Sequence, residues 1–326
     1  MNLLNISIII SAKNEADNIS SLLNSLKKVE YPKNNFEIIL VDDNSSDLTY
    51  SKAKSFKNEF TNLKIIKAEN KKYSGKKGAL ALGINSAVYN YILITDADCN
   101  VSTAWLKRYS EKFSEGYDFL FGNAPFINKT GFVNTISRFE NLRTFFLYTT
   151  AWKFRIPYSA AARNFGFKKS SFYKINGYEN TKETLSGDDD LLIREAIKNK
   201  MRIGYIPDND AAVYSGTKET LKEYLVQRTR HTKTSIYYLS VHKIILGCWH
   251  LVNLAALFSL FFGFYNKWFY IPFIIKIVAD LVIVKTNEAK SGYKFGFLEI
   301  IYLQVIYEIL IVVNFMNALF RREKWK

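Results

Sequence analysis

The chain has 326 residues, a formal charge of +15, 16% aromatic residues and two cysteines. That length supports one larger or two smaller cores, and Cys99 and Cys248, in unlike settings, give no disulfide framework or zinc pattern and suit a reducing compartment. The positive charge invites a nucleic acid, an anionic membrane face or a phosphorylated substrate; nucleic acid is disfavoured because the aromatics gather in apolar runs rather than among the basic residues.

Met1-Asn2-Leu3-Leu4-Asn5 lacks a basic start, and the apolar run behind it soon meets Lys13-Asn14-Glu15. This predicts a strand rather than a signal peptide, with the N-terminal part in the cytosol. Ile6-Ser7-Ile8-Ile9-Ile10 is β-branched, and Ile19, Leu22, Leu23 and Leu26 then recur at helical spacing. A second apolar strand, 36–41, stops at Asp42-Asp43-Asn44-Ser45-Ser46-Asp47. A third, 63–68, leads through a polar loop to Ser74-Gly75-Lys76-Lys77-Gly78 and a helix carrying Ala79, Leu80, Ile84 and Ala87. The fourth, Tyr91-Ile92-Leu93-Ile94-Thr95-Asp96-Ala97-Asp98-Cys99, ends in two carboxylates one residue apart.

Alternating apolar strands and helices predict an α/β fold, its mostly parallel sheet covered on both faces. Such sheets bind ligands beyond the carboxyl ends of their strands, and Asn14/Glu15, Asp42/Asp43, Gly75/Lys76 and Asp96/Asp98 all fall there. Strand alternation puts Asp96 and Asp98 on one side, ~7 Å apart, a spacing that lets one carboxylate ligate Mg²⁺ or Mn²⁺ while the other braces the water shell or ligand. Asp43 can accept from a nucleobase or ribose, and Lys76 places a cation near phosphate. No Gly-x-Gly-x-x-Gly or Walker loop occurs, which disfavours a dinucleotide dehydrogenase or an NTPase. A strand running into an acidic turn, and a solvated lysine in a polar loop, are the plain alternatives for Asp96/Asp98 and Lys76.

These residues resemble glycosyltransferase family 2 enzymes with the GT-A fold. Ile8 to Glu15 looks like the first-strand signature that often reads Pro-x-x-Asn-Glu, and Val41-Asp42-Asp43-Asn44-Ser45-Ser46-Asp47 is similar to the Val-Asp-Asp-x-Ser-x-Asp block. Gly75-Lys76-Lys77-Gly78-Ala79-Leu80-Ala81-Leu82-Gly83 resembles Gly-Lys-x-x-Ala-Leu-Asn-x-Gly, with Ala81 in the asparagine place, and Asp96-Ala97-Asp98 resembles the metal-binding Asp-x-Asp. The resemblance implies a nucleoside-diphosphate-sugar donor, with Glu15, Asp43, Lys76 and Asp96 on the donor and Asp98, beside Asp96, on Mn²⁺ or Mg²⁺.

In the next segment, Ala161-Ala162-Arg163-Asn164-Phe165-Gly166-Phe167 looks like the family's Gly-x-Asn-x-x-Phe-Arg-Arg segment, which puts Asn164 near the acceptor. Gly187-Asp188-Asp189-Asp190-Leu191 lies where the family has Glu-Asp-x-Asp-Leu. The plain reading of three adjacent acids is a helix start, where the macrodipole favours them; the functional one is a general base. By resemblance Asp188 is that base, with Asp189 the runner-up. Gln227-Arg228-Thr229-Arg230-His231 resembles the Gln-x-x-Arg-Trp motif of membrane-attached synthases, implying Gln227 and Arg230 toward the donor diphosphate and His231 in the acceptor-side place. A basic amphipathic helix on an anionic bilayer is the alternative.

Residues 244–264 carry no charge and are long enough to span the ~30 Å hydrocarbon core. Residues 268–284 contain Lys276 and Asp280, four apart and so on one helix face, while 297–320 carry several polar residues. The expected organisation is a nucleotide-binding half over 1–100, an acceptor half over 101–235 and a membrane domain of two or three helices over 236–326. Three spans would put Arg321-Arg322-Glu323-Lys324-Trp325-Lys326 outside, against the positive-inside tendency. The whole reads as a membrane-anchored, metal-dependent inverting glycosyltransferase of a bacterial-type cytoplasmic membrane, its catalytic domain cytosolic. Its donor would be a nucleoside-diphosphate-sugar of the UDP class, and its acceptor a saccharide or lipid-linked sugar of the cell surface. A polyprenyl phosphate acceptor, and a non-catalytic membrane scaffold, are the competing readings.

Overall fold

The computed structural model describes residues 3–320, so the basic tail at 321–326 lies outside the described residues. The chain divides into two compact units, one of residues 3–127 with 151–216 and the other of 128–150 with 217–320. The segments 128–150 and 217–235, which the sequence grouped with the acceptor half, therefore cluster with the C-terminal helices.

In the first unit the strands are β1 (Ile6–Ala12), β2 (Phe36–Asp42), β3 (Leu63–Lys67), β4 (Tyr91–Asp96), β5 (Cys99–Val101), β6 (Phe119–Gly122), β7 (Phe165–Lys168), β8 (Ile203–Ile206) and β9 (Val213–Ser215). Seven of them form one sheet in the order β3-β2-β1-β4-β7-β6-β8, while β5 and β9 pair separately. Every pairing in the large sheet is parallel except those of β7 with β4 and with β6.

Helices α1 (Ile19–Lys27), α2 (Thr49–Ser55), α3 (Gly75–Ser86) and α4 (Trp105–Ser114) link the strands of the N-terminal half. Ile6, Ile8 and Ile10 pack with Leu22, Leu23 and Leu26 of α1 in one core, so the apolar spacing read from sequence is the buried face. On α3, Gly83 lies so near β1 that a Cβ there would come 2.5 Å from Ile9 Cγ2; the missing side chain lets the helix lie close on the strand.

The second unit is helical: α5 (Phe132–Lys153), which begins in it, then α8 (Leu221–Thr234), α9 (Ser240–Phe262), α10 (Tyr270–Ser291) and α11 (Phe297–Phe320). Between them in sequence, α6 (Lys169–Lys174) and α7 (Asp190–Lys198) belong to the first unit. The burial of α9 and α10 inverts that of the first unit, while the buried face of α11 is mixed, with Ile300, Leu303 and Tyr307 beside Gln304, Glu308 and Asn314. On α9 the buried residues are His242, Asn253 and Ser259, and on α10 they include Lys276, Asp280 and Asn287, whereas Ile244, Leu251, Phe258, Ile274, Ile275, Val278 and Leu298 are exposed. Lys276 and Asp280 pair at 2.7 Å, as their four-residue spacing implied, and Arg143 of α5 pairs with the same aspartate. Among the described residues two helices, α9 and α11, are long and apolar enough to cross a membrane.

Candidate active site

The parallel register aligns the carboxyl ends of the central strands: Ser11 stands opposite Asp96, and Ala12 opposite Asp42. The loops leaving β1 and β2 are knit together there. Asn14 Oδ1 accepts from the Ser46 amide at 2.9 Å, and the Glu15 amide donates to Thr49 Oγ1 at 2.7 Å. Glu15 is half-buried, and its carboxylate accepts from Asn18 Nδ2 at 2.8 Å. Asp43 is buried; one of its oxygens accepts from Lys71 Nζ and the other has no hydrogen-bond partner. A buried carboxylate oxygen left unsatisfied is costly unless a ligand donor completes it.

Lys76, in the first turn of α3, is the centre of the arrangement. Its ammonium lies 2.7 Å from Asp96 and 2.6 Å from Asp188, joining carboxylates 92 positions apart in the chain. Burial alone would lower the lysine's pKa, but the charges of Asp188 and then Asp96 outweigh it and hold the ammonium well above its ordinary range. Burial would likewise raise Asp188, but the Lys76 charge and hydrogen bond hold its carboxyl below the usual carboxylate range.

The three consecutive acids each have a separate partner. Asp189 is the N-cap of α7, accepting from the Asp190 amide at 2.7 Å and the Ala162 amide at 2.6 Å. Asp190 accepts from Ser159 Oγ at 2.6 Å. Burial and the carboxylates of Asp190 and Asp188 push Asp189 well above the usual range. The two neighbouring carboxyls are driven in opposite directions, Asp188 down by Lys76 and Asp189 up by burial and its acidic neighbours. Asp188 is thus the better base candidate, and the helix-start reading of the cluster belongs to Asp189.

Asp188 follows Gly187, whose φ of +79° lies in the left-handed region. Glutamate, which the family carries at this place, would be strained there by ~1–2 kcal/mol. Gly187→Ala is therefore expected to lower stability by about 1 kcal/mol and to reduce turnover by displacing Asp188. Thermal melting and a turnover assay on the same preparation check both effects.

Asp96 and Asp98 are half-buried while Ala97 and Cys99 are buried, in keeping with alternation along the strand end. The strand itself stops at Asp96, and Asp98 lies in the turn before β5, where it accepts a long thiol hydrogen bond from Cys99 at 3.6 Å. Among the described residues no group of three or more His, Cys, Asp or Glu side chains could hold a metal ion by itself. The two hard carboxylates fit a cation that takes its other ligands from phosphate and water, as Mg²⁺ and Mn²⁺ do.

Asn164, expected at the acceptor, is instead a structural post. It is fully buried; its Oδ1 accepts from Trp105 Nε1 and Tyr109 OH, and its Nδ2 donates to the carbonyls of Asn123 and Ala211. Four internal bonds exhaust the hydrogen-bonding capacity of the amide. Gln227, Arg230 and His231 lie on α8 of the second unit, the first two half-buried and His231 exposed. Sequence reasoning passed over Lys71 and Lys77, because a lysine in a polar loop or at a helix start carries no pattern of its own.

Comparison with known proteins bears on the family and the fold. The profile of glycosyl transferase family 2 matches residues 7–175. The probable glycosyltransferase YdaM of Bacillus subtilis is 27% identical over 305 residues, 91% of this chain and 70% of that protein. Glycosyltransferase AglE of Haloferax volcanii is 32% identical over 127 residues, 39% of this chain and 41% of its own length. The chain also spans 35% of the poly(ribitol-phosphate) β-N-acetylglucosaminyltransferase TarS of Staphylococcus aureus, with 29% identity over 214 residues, 65% of this chain.

Among solved structures, a mannosyltransferase from Pyrobaculum calidifontis in complex with GDP-Man and Mn²⁺ superposes with a TM-score of 0.61 at 16% identity, covering 99% of this chain and 89% of that one. Residues 1–349 of TarS in complex with UDP-GlcNAc superpose with a TM-score of 0.52 at 19% identity, covering 98% and 94%. At such identities the likeness establishes the GT-A-like fold. Since the family profile covers more than half of the chain, the protein belongs to glycosyl transferase family 2.

Proposed function

We propose that the protein is a membrane-anchored, metal-dependent inverting glycosyltransferase that moves a sugar from a UDP-sugar to a saccharide or glycolipid acceptor in cell-surface polysaccharide synthesis. The observation that carries this reading is Lys76, held between a carboxylate on the donor side, Asp96, and the base candidate, Asp188. Asp43, with one buried oxygen unsatisfied, is suited to accept an N–H from the base of the nucleotide. Asp188 removes the proton of an acceptor hydroxyl as that oxygen attacks the anomeric carbon and the bond to the diphosphate breaks, a single displacement that inverts the centre. The Lys76 ammonium stabilises charge on the departing diphosphate. Asp98, with Asp96 beside it, would hold Mn²⁺ or Mg²⁺, whose charge offsets that of the diphosphate. The motif likeness assigns Gln227 and Arg230 to the donor diphosphate and leaves His231 on the acceptor side.

Membrane attachment through the C-terminal helices is supported by the inverted burial of α9 and α10, since apolar side chains face outward and polar ones inward when the solvent is lipid. The inferred location is a bacterial-type cytoplasmic membrane with the catalytic unit in the cytosol. Turnover of UDP-, GDP- and dTDP-sugars by detergent-purified protein tests the reading. Transfer with a UDP-sugar is expected to require Mn²⁺ or Mg²⁺ and to stop in chelator, and Asp98→Ala is expected to abolish metal-dependent donor binding measured by thermal shift. Equal turnover in chelator would overturn the metal assignment. Absence of binding to any nucleotide sugar would overturn the whole reading.

A further inference from the structure

Lys77 is almost completely buried, 1% exposed, at the first turn of α3. Its ammonium donates to the backbone carbonyls of Thr181 and Thr184, the latter at 3.1 Å. Both threonines are buried, and the segment they belong to leads through Ser186 and Gly187 directly to Asp188. Within it the Ser186 amide donates to Thr184 Oγ1 at 3.2 Å, and Thr181 Oγ1 donates to the Tyr178 carbonyl at 3.1 Å. Neighbouring residues on a helix point about 100° apart. Lys76 and Lys77 accordingly meet the same acidic loop from two directions, one at the Asp188 carboxylate and the other at the backbone behind it.

Burying an ammonium is costly even when its hydrogen bonds are made, and an apolar side chain could fill the same space at less expense. What the lysine adds is direction: two carbonyls are pulled toward a fixed point on α3, the helix that also carries Lys76. We infer that Lys77 is a positioning residue, which fixes the backbone of 181–187 so that Asp188 stands at the place where it takes the acceptor proton. This rests on Asp188 being the base. Lys77 acts on that residue through the loop and touches neither donor nor acceptor.

The test uses the full chain in detergent, with Lys77→Met to keep length while removing the donor. Expected is a fall in kcat of roughly ten- to hundredfold, the scale on which small misplacements act, with donor KM and UDP binding within about twofold of wild type. Amide hydrogen exchange is expected to rise over 181–188 while the large sheet stays protected. Unchanged kcat, or nucleotide affinity falling in step with kcat, would overturn the inference, since the first denies any role and the second indicates general damage. Lys77→Gln keeps two N–H donors on a shorter arm and serves if the methionine variant does not fold. It should show the same pattern at roughly threefold in kcat, and the same two results would overturn it. A failure of the base reading is distinguishable: Asp188→Asn would then keep its turnover, whereas the rise in exchange over 181–188 does not depend on what Asp188 does.

Discussion

Asp188→Asn is expected to reduce sugar transfer by roughly 10²–10⁴-fold, the usual contribution of a general base, while UDP-sugar binding persists. Asparagine keeps the shape but cannot take a proton at neutral pH. Asp43, Asp96 and Asp98 are not altered and Lys76 keeps its pair with Asp96, so calorimetric or thermal-shift titration with UDP should give an affinity near that of wild type. The neighbouring acids are poor substitutes: Asp189 is committed to the backbone amides of Ala162 and Asp190, and Asp190 to Ser159. Near-normal turnover of Asp188→Asn would remove the base assignment.

Lys76→Met is expected to have the other large effect, acting on donor and base together. It leaves Asp96 and Asp188 without the cation that both now share. A loss in kcat/KM of about 100-fold or more is expected, in the range seen when one group that stabilises transition-state charge is removed. The pH profile carries the clearest signature. In the wild type the Lys76 charge holds Asp188 below the usual carboxylate range, so Asp188 stays ionised as pH falls, and the pair's contribution is lost only when pH passes below that depressed value. Without Lys76, burial of Asp188 acts unopposed by its main partner, and the acid limb of the activity profile should move to higher pH. The Lys76 ammonium, raised above its ordinary range, keeps the pair charged on the alkaline side as well. An acid limb that stays in place would show that Asp188 does not govern it.

Much of this arrangement was legible in the chain because it rests on local rules. Apolar strands alternating with amphipathic helices specify a sheet covered on both faces, and polar clusters at strand ends then fall on one edge of it. That is why the Asp43, Lys76 and Asp96 blocks could be placed before any coordinates. The position of Asn164 was legible but its role was not. Only the meeting of α4, β7 and the segments around Asn123 and Ala211 spends its amide inside the fold.

By itself the sequence determined the fold class, the family and the apolar segments of its C-terminal part, and it marked candidate residues for the site. Resemblance ranked Asp188 ahead of Asp189 and singled out Lys76, but which partner each of the three aspartates and two lysines takes was not legible, because neighbours in sequence share composition and spacing. Tertiary structure separated them through direction. Asp188 faces Lys76 while Asp189 turns back to cap α7, and Lys76 reaches carboxylates while Lys77 reaches carbonyls. Hydrogen bonds and ion pairs are short-range and oriented, so which of two neighbouring groups takes a partner is decided only where remote segments meet.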